Sequence, residues 1–210
     1  MTKEFTRRTA LAAAVAAGLA APAAAGAPVQ VAILGDSINA GYGLPRRQAL
    51  PAQLEAELAR LGRAAKVRAE GVNGDTTAGG LRRVDRVARG GADVCVVALG
   101  GNDLLLGADP ARVEANLDAI VRRLKAQGVT VVLAGVQVPD ILAGAWGRSF
   151  NGAFRRVAQR HGVSLIPDML AGVALNPGLN QNDGIHPNAA GVRVIARRLA
   201  PFVARALPTR

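Results

Sequence analysis

The sequence predicts an α/β chain: a three-layer α/β/α sandwich built on a five-stranded parallel sheet. Three observations predict it. Short apolar runs alternate with amphipathic segments from residue 28 onward. Glycines punctuate the joints where a helical pattern gives way to the next apolar run. Half of the 210 residues are apolar, enough to fill one sizeable core.

The strands come in order. Val29–Leu34 is a short apolar run that ends at a glycine. Val67–Val72 is interrupted by Arg68 and Glu70, which suits a sheet edge. Val94–Leu99, Val129–Val136 and Val163–Ile166 complete the set. Between them run helical stripes with spacings of three and four. Leu50, Leu54, Leu58 and Leu61 form one face, and Val113, Leu117, Ile120 and Leu124 another. Phe150, Phe154 and Val157 begin a third, and Val192, Ile195, Leu199 and Phe202 close the chain. Asp109 before Pro110 marks a helix start, a carboxylate to cap open amides and a ring that needs no donor. Gly62, Gly90 (with Gly91), Gly128 and Gly162 each follow a helical pattern and precede a strand, where a left-handed residue can stop the helix. Repeated units of this kind imply a parallel sheet covered on both faces. Sites in such sheets form beyond the carboxyl ends of the strands. Ser37, Gly74, Asn102 and the loop after Val136 all fall there.

Residues 1–25 read as an export leader, leaving 26–210 as one domain. Lys3, Arg7 and Arg8 precede an apolar stretch from Thr9 to Ala21, and Ala23-Ala24-Ala25 suits a signal peptidase cutting after Ala25. The apolar stretch is short for a bilayer span. Thr6-Arg7-Arg8-Thr9-Ala10-Leu11 resembles a twin-arginine signal, with an ordinary secretory signal as the alternative. Expected localisation is therefore periplasmic or secreted. The formal charge of +11 becomes +9 without the leader. The arginines are spread over every predicted helix, with no basic run interleaved with aromatics. Solvated helix faces explain them better than a nucleic-acid partner, while transient contact with a membrane surface stays open. Cys95, the only cysteine, lies inside a buried-strand pattern and reads as core. With two dispersed histidines, His161 and His186, the chain offers a poor zinc ligand set, and neither metal nor cofactor is expected.

The chemistry sits at the two ends of the domain. Ser37 follows the first strand in Gly35-Asp36-Ser37. His186 lies in Asp183-Gly184-Ile185-His186-Pro187, a polar turn that gives an imidazole no local structural purpose. A serine becomes nucleophilic when a neutral imidazole can take its proton, and the imidazole needs an anion to orient it. Asp183, three residues before His186, is placed to be that anion. His161, by contrast, stands at a helix end where the dipole favours it. Asp36 reads as a turn brace and Asp103 as a residue fixing the loop that bears Asn102. The sequence around Ser37 lacks the Gly-x-Ser-x-Gly elbow of α/β-hydrolases.

Four blocks then occur in order: Leu34-Gly35-Asp36-Ser37, Gly74-Asp75-Thr76-Thr77, Leu99-Gly100-Gly101-Asn102-Asp103 and Asp183-Gly184-Ile185-His186-Pro187-Asn188. Together they resemble the SGNH hydrolase superfamily, or GDSL-type esterases, and within it the periplasmic thioesterase I, lysophospholipase L1 and arylesterase group. The resemblance covers nearly the whole chain after the leader and implies a flavodoxin-like sheet. It implies a serine hydrolase that cleaves carboxylic esters, thioesters or lysophospholipids through an acyl-enzyme on Ser37, with His186 as base and Asp183 as its partner. It also implies an oxyanion hole from the amides of Ser37 and Gly74 and the side chain of Asn102, Gly74 allowing close approach because it lacks a Cβ. Leu104, Leu105 and Leu106 either hold the acyl chain, as the corresponding mobile segment does in related thioesterases, or form the first turn toward the Asp109 helix. Val138 and Pro139, within Val136–Gly144, form the opposite wall. That stretch departs from the Pro-x-Asn-Tyr-Gly of the related group, which leaves acyl preference open. The partner expected is a small-molecule substrate and the chain is expected to be monomeric. Two other readings remain: a carbohydrate O-acetylesterase, and a non-catalytic exported binding module.

Overall fold

A computed structural model describes residues 27–209; the leader and its cleavage position lie outside them. Five parallel strands form one sheet: β1 (Gln30–Gly35), β2 (Lys66–Gly71), β3 (Val94–Ala98), β4 (Thr130–Ala134) and β5 (Ser164–Ile166), in the order β2-β1-β3-β4-β5. Every predicted strand is present, with ends moved by no more than two residues. β1 and β3 lie inside the sheet and are almost wholly buried, so their sequences are continuous apolar runs. β2 is the edge strand its charges foretold, half-buried along its length.

Seven α-helices are present among the described residues: α1 (Ser37–Ala40), α2 (Leu50–Arg60), α3 (Thr77–Arg89), α4 (Gly101–Leu105), α5 (Pro110–Ala126), α6 (Gly144–His161) and α7 (Ala189–Ala206). α2 packs on α7, and α3, α5 and α6 pack side by side, so that the two groups cover opposite faces of the sheet. The apolar stripes enter the core as the periodicity requires: Leu50, Leu54 and Leu58 from α2, Val113, Leu117, Ile120 and Leu124 from α5, Val192, Ile195 and Leu199 from α7. Leu61 does not, being 51 % exposed, because it lies one residue past α2, where the chain turns away from the sheet. Asp109 caps α5 as expected, its carboxylate accepting from Ala111 N at 3.0 Å. The left-handed stop after α3 is made by Gly91 (φ 74°) rather than Gly90 (φ −71°).

Three helices had no stripe assigned from the sequence. α3 buries Val84, Val87 and Ala88, but Arg82, Arg83, Arg86 and Arg89 are interleaved with its apolar residues and mask the period. α1 and α4 span four and five residues, too few for a periodic signal.

The strand order reverses between β1 and β3, where crevices open in doubly wound sheets. The register levels the strand ends there, with Gly35 opposite both Gly71 and Ala98. At Gly71 the chain of α1 presses on β2 so closely that a Cβ would stand 2.3 Å from Ala40 N and 2.6 Å from Asp36 O. Both obstacles are backbone and cannot rotate away. Gly71→Ala is therefore expected to destabilise the fold by about 1–3 kcal/mol, as overpacking does. It should also displace the Asp36–Ser37 turn. Urea unfolding midpoints together with ester hydrolysis by the folded variant check both effects.

Candidate active site

Ser37 begins α1 directly beyond β1. Asp36 caps that single turn: its Oδ1 accepts from Ile38 N at 3.0 Å. The Ser37 N–H, as the first amide of a helix, has no intrahelical acceptor to engage. Asn39 anchors the turn to the neighbouring strand, its Nδ2 donating to Ala98 O at 3.3 Å and to Asp36 Oδ1 at 3.4 Å. The nucleophile candidate thus sits on a short element fixed to both central strands, and Ser37 itself is 8 % exposed.

His186 arrives from 149 residues away, with Nε2 2.9 Å from Ser37 Oγ. On its other side, Nδ1 lies 2.7 Å from Asp183 Oδ2. Asp183 Oδ1 accepts from Ile185 N and His186 N, both at 2.9 Å. Those two backbone amides, the His186 amide first, and then the imidazole hold the Asp183 carboxyl down at about 2. An ionised carboxylate can only accept, so Nδ1 carries the proton and the Nε2 lone pair faces the serine hydroxyl. An imidazole so oriented can take the hydroxyl proton as Oγ attacks an electrophile.

The histidine loop is tied down by Gln181 and Tyr42, which lie outside the four blocks, and by Asn188, the last residue of the fourth. Gln181 N donates to His186 O at 2.7 Å, and Gln181 Nε2 donates to Pro187 O and to Tyr42 O. Tyr42 N donates to Ser37 O at 3.0 Å, and the Tyr42 ring lies 4.4 Å from the imidazole, centroid to centroid. Gln181 therefore joins the histidine loop to the serine turn. Asn188 caps α7 through Ala190 N and Gly191 N while donating to Gly178 O and Asn180 O. A glutamine in a loop has no periodicity to announce such a role.

Gly74 and Asn102 lie beyond the ends of β2 and β3. Gly74 has φ 74°, and a Cβ there would meet nothing within 4 Å. The position takes the left-handed backbone that favours glycine and faces open space, whereas Gly71 is crowded by protein backbone. Asn102 lies on α4 and donates one Nδ2 proton to Asp75 O at 2.8 Å, which leaves its second amide proton for another acceptor. Asp103 fixes α4 to the start of α3, its two oxygens accepting from Thr77 Oγ1 at 2.6 Å and Thr77 N at 2.8 Å.

The leucines after Asn102 divide. Leu104 is half-buried and packs on the core, whereas Leu105 is 64 % and Leu106 74 % exposed. They close α4, a short helix that precedes the α5 cap. Val138 also packs on the core, and its backbone is held in both directions by Asn151 at 2.9 and 2.8 Å; Pro139 is exposed. Two other candidates lie elsewhere. His161 Nε2 is 2.9 Å from Asp118 Oδ1, in an ion network between α5 and α6. Cys95 is fully buried and its thiol is pushed up to about 12 by that burial, which makes it inert. Among the described residues no three His, Cys, Asp or Glu side chains gather as a metal would require.

Comparison with known proteins places this arrangement. Residues 33–194 match the model of the GDSL-like Lipase/Acylhydrolase family. The chain is 36 % identical to the esterase TesA of Pseudomonas aeruginosa over 159 residues, 75 % of this chain and 79 % of that protein. It is 32 % identical to thioesterase 1/protease 1/lysophospholipase L1 of Escherichia coli K12 over 176 residues, 81 % of this chain and 83 % of that one. A crystal structure of TesA superposes with a TM-score of 0.79 at 33 % identity, covering 85 % of this chain and 99 % of that one.

One carboxyl at the site is unlike the rest. Burial pushes Asp36 up to about 6, against the lowering effects of Ile38 N and of His186. It binds its proton more tightly folded than unfolded, so it lowers stability progressively as pH rises from about 4 to about 6. Asp36→Asn keeps the cap and removes the titration. The variant should gain on the wild type across that interval by on the order of 2–3 kcal/mol. Urea midpoints of both proteins at pH 4 and pH 7 read the difference; equal spacing at the two values would contradict it.

Proposed function

Because the chain belongs to the GDSL-like lipase/acylhydrolase family, we propose that it hydrolyses carboxylic esters and thioesters through an acyl-enzyme on Ser37. The observation that carries the reading is the unbroken relay from Ser37 Oγ to His186 Nε2 at 2.9 Å and from Nδ1 to Asp183 Oδ2 at 2.7 Å. As Ser37 Oγ attacks the acyl carbonyl, His186 takes the hydroxyl proton and passes it to the departing alcohol or thiol. Water then attacks the acyl-serine, losing its proton to His186, which returns it to Ser37 as the acid departs. The carbonyl oxygen gains negative charge in both steps. The amides of Ser37 and Gly74 and the remaining Nδ2 proton of Asn102 are its donors, each worth ~10²–10³ in rate.

The rim favours acyl chains over acetylated sugars. Among the described residues, ten large apolar side chains stand exposed. All but Leu61 follow the carboxyl end of a strand, before or in the first turn of the next long helix. Leu105 and Leu106 follow β3, Ile141, Leu142 and Trp146 follow β4, and Leu175 and Ile185 follow β5. Leu105, Leu106 and Pro139 on that rim, with Val138 behind it, would receive the acyl chain. The same rim suits lysophospholipid and transient contact with a lipid surface. Residues 1–25 would direct export, with cleavage after Ala25, and residues 26–210 would act in the periplasm or outside the cell.

Ser37→Ala is expected to lower kcat/KM on a nitrophenyl butyrate by about 10⁴-fold or more, and a fluorophosphonate should label the wild type at Ser37 alone. Retention of most of the rate would refute the assignment. Asp183→Asn keeps an oxygen for Ile185 N and His186 N but can turn an N–H toward Nδ1, favouring the wrong tautomer. A loss of about 10³–10⁴-fold in kcat, with the protein still folded by circular dichroism, is expected. A panel from acetyl to palmitoyl esters, with an acyl-CoA and a lysophospholipid, then measures chain preference. Activity confined to acetyl esters would favour a carbohydrate O-acetylesterase.

A further inference from the structure

The three oxyanion donors come from three separate strand ends, and one side chain binds two of those ends directly and reaches the third donor through Asp75. Arg83, on α3, spreads its guanidinium over three acceptors. Nη2 donates to Gly35 O at 2.7 Å, at the end of β1 and two residues before Ser37. Nη1 donates to Glu70 O at 2.6 Å, near the end of β2 and four residues before Gly74. Nε donates to Asp75 Oδ2 at 2.7 Å, beside Gly74. Asp75 in turn reaches the third donor, since its backbone oxygen accepts Asn102 Nδ2 at 2.8 Å. Its own N–H donates to Val72 O at 3.1 Å, closing the turn that carries Gly74.

We propose that Arg83, with Asp75, is the positioning residue of the oxyanion hole: it sets the spacing of the Ser37, Gly74 and Asn102 donors without touching substrate. The inference rests on the acyl-enzyme reading above. The chemistry of the fork explains why an arginine stands here. A guanidinium presents five N–H groups in one rigid plane, and bidentate or tridentate binding of carbonyls fixes their separation. A lysine at the same place is a point donor that cannot hold three acceptors at fixed angles. The pair is withdrawn from water, the Arg83 and Asp75 side chains being 15 % and 9 % exposed, so the charge-assisted bond is little screened. Its neighbours do not compete, since the Glu70 carboxylate is occupied by Arg68 and Arg86. Donors must stand about 2.7–3.1 Å from the place where the oxyanion forms, and an error of 1 Å can cost ~10² in rate.

The test compares Arg83→Lys and Asp75→Asn with the wild type. Asp75→Asn is isosteric and keeps the backbone oxygen that receives Asn102, but its single side-chain oxygen cannot serve both Thr76 N and Arg83 Nε; it carries the test if Arg83→Lys does not fold. Each folded variant is assayed on nitrophenyl butyrate and titrated with a trifluoromethyl ketone, which adds Ser37 to form an oxyanion. Fluorophosphonate labelling reports that Ser37 and His186 remain competent. The expected result is a kcat lowered about 30–300-fold with KM within threefold. Affinity for the ketone should fall in parallel, the pH profile should keep its shape and Ser37 should still be labelled. A purely structural role would instead lower activity only as the folded fraction falls, and cooling would restore it. Full activity at low temperature, or unchanged ketone affinity in folded protein, overturns the proposal. Failure of the acyl-enzyme reading itself is distinguishable, because it would appear as wild-type protein that no fluorophosphonate labels.

Discussion

Three parallel strands that end level with one another support every other feature of the site. Gly35 stands opposite both Gly71 and Ala98, so the chain leaves β1, β2 and β3 at the same height. Neighbouring strands lie about 4.8 Å apart, which brings the turns that follow them within side-chain reach of each other. Ser37, Gly74 and Asn102 each come from one of those turns. The strand order reverses between β1 and β3, where a crevice forms beyond the strand ends of such a sheet. A slip of one residue in either of the two ladders would turn side chains to the other face and separate Ser37, Gly74 and Asn102.

Holding that geometry requires polar groups in places that would otherwise be apolar. Asp36, Asn39, Thr77 and Asp103 are all buried close to the strand ends. Most are paired: Asp103 with Thr77, Asp36 with Ile38 N, Asn39 with Ala98 O. The pairing is incomplete, since Asn39 Oδ1 is buried without a partner and Asp36 is pushed toward its neutral form. Both defects lie on the turn that presents Ser37. Buried polar groups that fall short of full satisfaction are a feature of functional sites, where local stability is exchanged for a fixed arrangement.

Much of this was legible from residue order. The strands were visible because buried parallel strands are continuous apolar runs, and Val94–Ala98 or Thr130–Ala134 could hardly be anything else. The long stripes of α2, α5, α6 and α7 were visible because each repeats its period over several turns. α3 escaped because its four arginines dilute the pattern, and α1 and α4 because single turns have no period at all. Ser37, Asp183, His186, Gly74 and Asn102 stood out as residue types in ordered blocks. Gln181, Asn151 and Arg83 did not, because a side chain that binds distant backbone carbonyls leaves no mark in its own neighbourhood, and neither did Tyr42, whose ring meets an imidazole far along the chain.

Local order alone determined the class of fold, the edge strand, the core stripes and the chemical kinds of the reactive groups. These follow from periodicity and from functional groups, which are properties of short stretches of chain. Tertiary structure alone decided that a hydroxyl and an imidazole 149 residues apart stand 2.9 Å from each other. It alone decided that Gly71 rather than Gly74 is the crowded glycine, that Leu104 turns inward while Leu106 faces water, and that Arg83 joins two strand ends. Each of these depends on where separate segments meet once the sheet is in register, and distance in space is not encoded in the composition of either segment.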